Sequence, residues 1–445
     1  MPENYPSDLA RCVRAQLARK FKSSCPHLAV LQKLFETLYF ASLKREETEN
    51  ISCRIAFADR VNPDPDPPSR IVKDRWRAFA LSQDLPLTVR NLVKLSKAVD
   101  PWSSTLAIDI GQSGELRIWG LIDQAVHHNT FVVQESDSGP EIPGIFQAVI
   151  EGVGEVAAYR GYTFLGRLRQ DVLVTKELPA LYQGPVHGNL YPAIQMFQNR
   201  VKSEVGSLEY ERRGHWDASL SDDWLSALSR ILIGIQRYGH GGAVLLSDVP
   251  DGLIPRYALN YPRLSDALHR CAVLSVQHTS YSDTIHEEYL DPDSDEESIP
   301  ISLYLEERVS NYEVDETENE IKGSVRFLSS LSRVDGLIWL TPDLKLRGFG
   351  VLIGTEEEPP KVFRAENAQG TLITEVDIHS FGTRHRSMMR QCWKDPKSVG
   401  FVVSQDGDVR AITWHDGKIL IWESVRLQRF LNTRSASSTL RTVNK

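Results

Sequence analysis

Thr383-Arg384-His385-Arg386-Ser387 places two guanidiniums, an imidazole and two hydroxyls within five consecutive residues. Such a set is costly in a core without anionic partners, and its donors suit the oxygens of a triphosphate. A surface turn with two exposed arginines accounts for the same residues, and spacing alone leaves both readings open. Asp335-Gly336 stands upstream, directly before an apolar run, and by itself is a common turn. Gly152-Val153-Gly154-Glu155-Val156-Ala157 has the glycine spacing of a dinucleotide fingerprint. Gly161 and the β-like run Tyr162-Thr163-Phe164-Leu165, however, leave no long helix whose N-terminus could hold a pyrophosphate. Asp291, Asp293 and Asp295 begin like a calcium loop, yet Glu296 stands where glycine is needed and Ser302 where glutamate is needed. His127-His128 and Cys25-Pro26-His27 have no partner at metal-ligand spacing, so they read as surface or satisfied side chains.

The elements that must position the arginine cluster follow from periodicity. From Ile321 the spacing of Val325, Leu328, Leu331 and Val334 predicts a helix, then the Asp335-Gly336 turn, then strands over 337–340 and 344–353. A short helix is expected from Gly382 through Ser387. Three strands separated by Asp406-Gly407 and Asp416-Gly417 complete a mixed α/β domain. Earlier, apolar spacing at Leu28, Leu31, Leu34, Phe35 and Leu38 predicts helices within 8–44, broken near Ser24-Cys25-Pro26. The prolines of 62–68 predict a loop, and residues 87–99 another helix. Residues 106–110 and 116–122 read as a hairpin, with further strands at 131–133, 146–150 and 171–174. A helix over 222–238, ended by His240-Gly241-Gly242, and the strand Ala243-Val244-Leu245-Leu246 are expected to close an N-terminal domain. Residues 262–278 read as helix, and the acidic stretch that follows as a linker or loop.

The chain has 445 residues, enough for two or three domains, and 41% apolar composition supports real cores. No run approaches the roughly 20 apolar residues of a membrane span, and the start Met1-Pro2-Glu3-Asn4-Tyr5-Pro6 lacks the layout of a signal peptide, so a cytoplasmic protein is expected. Five scattered cysteines without a C-x-x-C pair indicate neither a disulfide framework nor a zinc knuckle. The net charge of −8 conceals residues 283–320, where 15 acidic residues and one arginine give −14 and leave +6 for the remainder. That balance argues no clear nucleic-acid site but leaves room for a local phosphate site. The expected partition is 1–260 an α+β sensor-like domain, 261–320 connecting helices and acidic linker, 321–431 an α/β domain with a mixed central sheet flanked by helices, and 432–445 a tail.

The order Asp335-Gly336-Leu337, Gly348-Phe349-Gly350-Val351-Leu352-Ile353, Gly382-Thr383-Arg384-His385-Arg386-Ser387, then Val402-Val403-Ser404-Gln405-Asp406 resembles diadenylate cyclase domains, which make cyclic di-AMP from ATP. The likeness covers about 321–425. The earlier part resembles the sensor domains found before some such domains (DACNV-like), through Leu116-Arg117-Ile118-Trp119-Gly120-Leu121 and His240-Gly241-Gly242-Ala243-Val244-Leu245-Leu246.

The resemblance implies that Asp335 holds a divalent metal, Mg2+ or Mn2+, and helps activate the attacking 3′-hydroxyl, while Gly336 and Leu337 line the nucleotide pocket. It implies that Gly382, Thr383, Arg384, His385, Arg386 and Ser387 cradle the phosphates, with Arg384, His385 and Arg386 also catalytic. Ser404 would reach the triphosphate, Asp406 would assist the metal, and Leu352 would pack against adenine. Two subunits meeting face to face, each with one ATP, are implied, together with an unidentified ligand of the sensor domain and no membrane partner. Leu337 stands where the family has alanine and Asp406 where it has glutamate. A degenerate module that binds ATP or a cyclic dinucleotide without turning it over is therefore the alternative.

Overall fold

The computed structural model describes residues 3–21, 26–63, 76–99, 104–111, 113–124, 144–161, 163–206, 210, 216–290, 298–405 and 407–427. The chain divides into two compact units, Met1–Glu177 and Leu178–Gln428. Both are mixed α/β, and no helix among the described residues is long and apolar enough to cross a membrane.

The first unit opens with α1 (Pro6–Lys20) and α2 (Leu28–Ser42), then β1 (Arg45–Glu46), β2 (Glu49–Asn50), β3 (Cys53–Phe57), β4 (Trp76–Pro86) and α3 (Val89–Ser96). It continues with β5 (Ser104–Ile110), β6 (Leu116–Gln124), β7 (Phe146–Gly152), β8 (Glu155–Arg160), β9 (Thr163–Arg169) and β10 (Val172–Val174). The main sheet runs β10-β9-β8-β7-β3-β5-β6-β4, antiparallel except for β3 with β5. The spacing read from the sequence buries Leu31, Leu34, Phe35 and Leu38 of α2, with Leu9, Val13 and Leu17 of α1, against Ile55, Leu106, Ile118, Ala148 and Val156 of the sheet. Burying each of these leucine, isoleucine, valine and phenylalanine side chains is worth about 1.5–3 kcal/mol. Gly152-Val153-Gly154 is the tight turn of the β7–β8 hairpin, with Gly154 at φ 69°. The expected strand at 131–133, His127-His128 and Asp291 to Asp295 lie outside the described residues.

The second unit contains α4 (Pro185–Val205), α5 (Trp216–Tyr238), β11 (Gly242–Leu246), β12 (Leu253–Tyr261), α6 (Arg263–Thr284) and α7 (Ile301–Ser330). Then come β13 (Leu337–Leu340), β14 (Leu346–Ile353), β15 (Val362–Ala365), β16 (Ile373–Val376), α8 (Thr383–Lys394), β17 (Val399–Val403), β18 (Val409–His415) and β19 (Lys418–Trp422). Its nine-stranded sheet runs β12-β14-β13-β11-β17-β18-β19-β15-β16. One face packs Val244, Leu246, Ile338 and Phe401 with Leu228, Ile231 and Ile235 of α5 and Val325 and Leu328 of α7. The other packs Ala243, Leu245, Leu337, Val351 and Val402 with Met388, Met389 and Cys392 of α8.

Two readings of the sequence change here. The strand expected to close an N-terminal domain near residue 260 is β11, which pairs parallel with β13 and antiparallel with β17 inside the second unit. All five of its residues are buried, so it needs a layer on each face and a strand on each edge. The division consequently falls at Glu177/Leu178. The acidic stretch, read as linker, is helical from Ile301 onward. Ser310, Thr317, Ile321 and Val325 turn inward, the carboxylates stay at the rim, and Glu320 pairs with Arg263 at 2.7 Å and with Arg270. Glutamate is a good helix former, so local charge did not prevent helix formation once one stripe was buried.

Leu328 is fully buried on α7, whereas Leu305 of the same helix is 53% exposed. Leu328→Ala is expected to lower unfolding free energy by about 2–5 kcal/mol. Leu305→Ala is expected to change it by no more than about 0.5 kcal/mol. Urea unfolding of the two variants checks the contrast.

Candidate functional site

Strand pairing in the second unit brings separated segments to one edge of the sheet. Val244 lies opposite Ile338 in the parallel β11–β13 pair, and Gly242 lies opposite Val403 in the antiparallel β11–β17 pair. The residues before β11 (His240-Gly241), before β13 (Asp335-Gly336) and after β17 (Ser404-Gln405) therefore share that edge. Gly241 has φ 67°, and a Cβ there would lie 2.9 Å from the Val403 carbonyl oxygen, 3.1 Å from Gln405 N and 3.2 Å from Arg384 Nη1. The guanidinium of Arg384 thus reaches the same edge from α8.

Helix α8 begins at Gly382, which is extended (φ −65°, ψ 163°) and supplies no side-chain cap. Its carbonyl accepts from His385 N at 3.0 Å and Arg386 N at 3.1 Å. The first N–H groups and the helix dipole favour negative charge at this end. Close seating of α8 on β17 depends on Gly400, because a Cβ there would meet Met388 at 2.3 Å. Thr383 and Arg384 are exposed, while His385, Arg386 and Ser387 are half-buried. Arg386 Nε is buried without a hydrogen-bond partner. Glu358 is held below the ordinary carboxylate value, first by its hydrogen bond from Arg390 and further by the charges of Arg390, His379 and Arg386. The field around the start of α8 is cationic.

Asp335 is exposed in the bend between a single 3-10 turn (Leu331–Arg333) and β13. Beside it two backbones pass closely: a Cβ on Gly336, whose φ is 121°, would sit 2.4 Å from the Gly350 carbonyl carbon. The β13–β14 register shifts between Leu337 and Trp339 at this crossing. A Cβ on Gly350 would be 3.3 Å from the Asp335 carbonyl oxygen and 3.4 Å from Tyr257 Cδ2, so Tyr257 borders the aspartate. Tyr257 is 52% exposed and stacks on Phe349, with ring centroids 4.9 Å apart. Sequence reading missed Tyr257, because β12 is an edge strand largely exposed on both faces, with no buried face to mark its register. An aromatic residue followed by alternating apolar positions at Leu259 and Tyr261 was the only signal.

The remaining expected residues fall at different depths. Leu337 is 5% exposed and packs in the core with Val351, Met388 and Met389. Leu352 is 45% exposed and pairs in register with Ile254. The Ser404 hydroxyl donates to the Asp408 carbonyl at 3.1 Å, and its N–H donates to the same oxygen at 2.9 Å, closing the turn into β18. Asp406 lies outside the described residues. His385 Nε2 accepts from Arg410 Nη1 at 3.0 Å, a partner that the sequence did not point to. No three His, Cys, Asp or Glu side chains converge on a metal position among the described residues. An exposed Asp335 nonetheless fits a Mg2+-type ion, which is commonly held by one or two carboxylates together with substrate phosphates.

Gly336→Ala combines a left-handed φ with overlap of backbone atoms, so a loss well beyond the roughly 1–3 kcal/mol of backbone strain alone is expected in chemical denaturation. Leu337→Ala is expected to cost about 2–5 kcal/mol by opening the core, without raising any activity of the site.

The family model described as "Probable sensor domain DACNV" matches residues 20–123, from the end of α1 into β6. This range contains Leu116 to Leu121 of the sensor resemblance but not His240 to Leu246, which belongs to β11 and the turn before it in the second unit. No curated protein and no solved structure matches the chain.

Proposed function

We propose that this protein is a diadenylate cyclase, in which the second unit condenses two ATP molecules into cyclic di-AMP with release of pyrophosphate and the first unit regulates it. The observation that carries the reading is the shared sheet edge, where Asp335, Gly336, Gly241, Arg384 and Ser404 come from four separate segments. The DACNV match in the first unit supports the same context.

Joining nucleotides is an in-line displacement at an α-phosphorus, for which alignment and charge stabilisation supply most of the catalysis. In this reading the start of α8, with Arg384 and Arg386, binds the triphosphate and offsets its charge. Gly336 and Gly350 let β13 and β14 cross closely and so fix the backbone that carries Asp335, and Leu352 and Tyr257 border the base. Asp335 would hold Mg2+ or Mn2+, which when bound neutralises phosphate charge and lowers the pKa of a coordinated hydroxyl. Each subunit presents one nucleotide, so two copies must meet face to face for each 3′-hydroxyl to attack the other nucleotide. The burial of Leu337 in the core favours turnover over the degenerate alternative, since its extra bulk fills the interior.

Incubation of the full chain with ATP and Mg2+ or Mn2+, followed by mass analysis, is expected to yield cyclic di-AMP; unreacted ATP would refute the assignment. Asp335→Asn is expected to abolish product while leaving the melting transition in place, because it removes a charge but almost no volume. Arg384→Ala is expected to weaken ATP binding by about 1.5–3 kcal/mol in titration calorimetry. Specific activity is expected to rise with protein concentration as the dimer forms, measured by initial rates beside light scattering.

A further inference from the structure

His385 is held by a cation. Arg410 Nη1 on β18 lies 3.0 Å from His385 Nε2, at the first turn of α8. A guanidinium has only donors, so Nε2 must be the acceptor, and a ring that accepts at Nε2 is neutral with its proton on Nδ1. Arg410 is in turn paired with two carboxylates. Its Nε lies 3.3 Å from Asp408 Oδ2 and 3.4 Å from Glu423 Oε1. Asp408 is buried and takes the Ser424 hydroxyl on Oδ1 at 3.1 Å, while its carbonyl receives Ser404. Glu423 also faces Arg364 Nη1 at 3.6 Å. The ring of Phe381 lies 5.9 Å from that of His385 between centroids, tilted by 42°. The two carboxylates offset the Arg410 charge, which leaves Arg410 to orient the imidazole rather than to add a cation to the phosphate site.

We propose that Arg410 is a positioning residue for the phosphate-binding end of α8, holding His385 as the neutral Nδ1–H tautomer so that it serves as a fixed hydrogen-bond donor and not as a third cation. This role rests on the nucleotide reading above. It assigns the electrostatic work at the helix start to Arg384 and Arg386 and the directional work to His385. It also couples the turn that carries Ser404 to the arginine cluster through Asp408, just before β18, and Arg410 on that strand.

The test uses full-length protein with 15N-labelled histidine, in which the His385 signals among the 12 histidines are those lost in His385→Gln. At a pH of about 8, above the free imidazole pKa of ~6.5, the side-chain nitrogen shifts report the tautomer of a neutral ring. Wild type is expected to show Nδ1–H at His385, and Arg410→Met is expected to revert to the Nε2–H form that predominates in free imidazole. In the same variant ATP affinity is expected to fall by about tenfold, the loss of one oriented charge-assisted hydrogen bond. An Nε2–H or doubly protonated His385 in wild type overturns the inference and needs no variant to fold. Retention of Nδ1–H in a folded Arg410→Met protein overturns it as well. So does unchanged ATP affinity in a variant whose tautomer has switched. Failure of wild type to bind ATP removes the nucleotide reading and this role with it, and the wild-type titration alone distinguishes that result from the others.

Discussion

A strand with no exposed side chain imposes more on a fold than any other element, because both faces need cover and both edges need partners. In the second unit β11 is such a strand, five residues long and buried throughout, as is its neighbour β17. Val244 and Leu246 require the helical layer that α5 and α7 provide, and Ala243 and Leu245 require α8 on the opposite face. Its edges take β13 in parallel and β17 in antiparallel orientation. Because one neighbour is parallel and the other antiparallel, the loops entering β11 and β13 and the loop leaving β17 all emerge on the same side. The candidate site is a consequence of that arrangement of central strands.

Close backbone approach is the second ingredient, and it is confined to glycine positions. Gly336 and Gly350 let β14 cross the entry to β13, Gly241 leaves space between the β17 turn and Arg384, and Gly400 lets Met388 sit on the sheet. The same economy explains why Leu337 is tolerated directly after Asp335-Gly336: the strand turns its side chain into the α8 core and leaves the glycine and aspartate toward the edge.

Charge is separated within the unit by the same geometry. The carboxylates of α7 occupy the rim of a helix whose inner stripe is buried, so a run that looks like solvated linker by composition is continuous with the helical segment that carries Ile321, Val325 and Leu328 into the core. Cations gather at the opposite layer around the start of α8, where Arg384, Arg386, Arg390 and Arg410 lie on α8 and neighbouring β18. The acids near them are engaged: Glu358 takes Arg390, and Asp408 and Glu423 take Arg410. What remains uncompensated at the helix start is positive, as an anionic ligand requires.

Local chemistry was legible in the sequence. The 3.6-residue spacing of α2 and α5, the hairpin of β5 and β6, the Asp416-Gly417 turn and the short helix at Thr383 are set by side-chain periodicity and turn preference within a few residues. The arginine cluster and Asp335-Gly336 were visible for the same reason, since residue type and order are properties of the chain. The sequence could not decide which strands pair, because pairing is a contact between distant segments that hydrophobicity alone does not address. An apolar run such as Ala243 to Leu246 fits equally well at the end of one domain or in the middle of another until both its edges and both its faces are assigned. Tyr257 and Arg410 went unseen on the same ground: a tyrosine on an exposed edge strand and an arginine within a hairpin acquire a role only from what tertiary structure sets beside them, Gly350 in one case and His385 in the other.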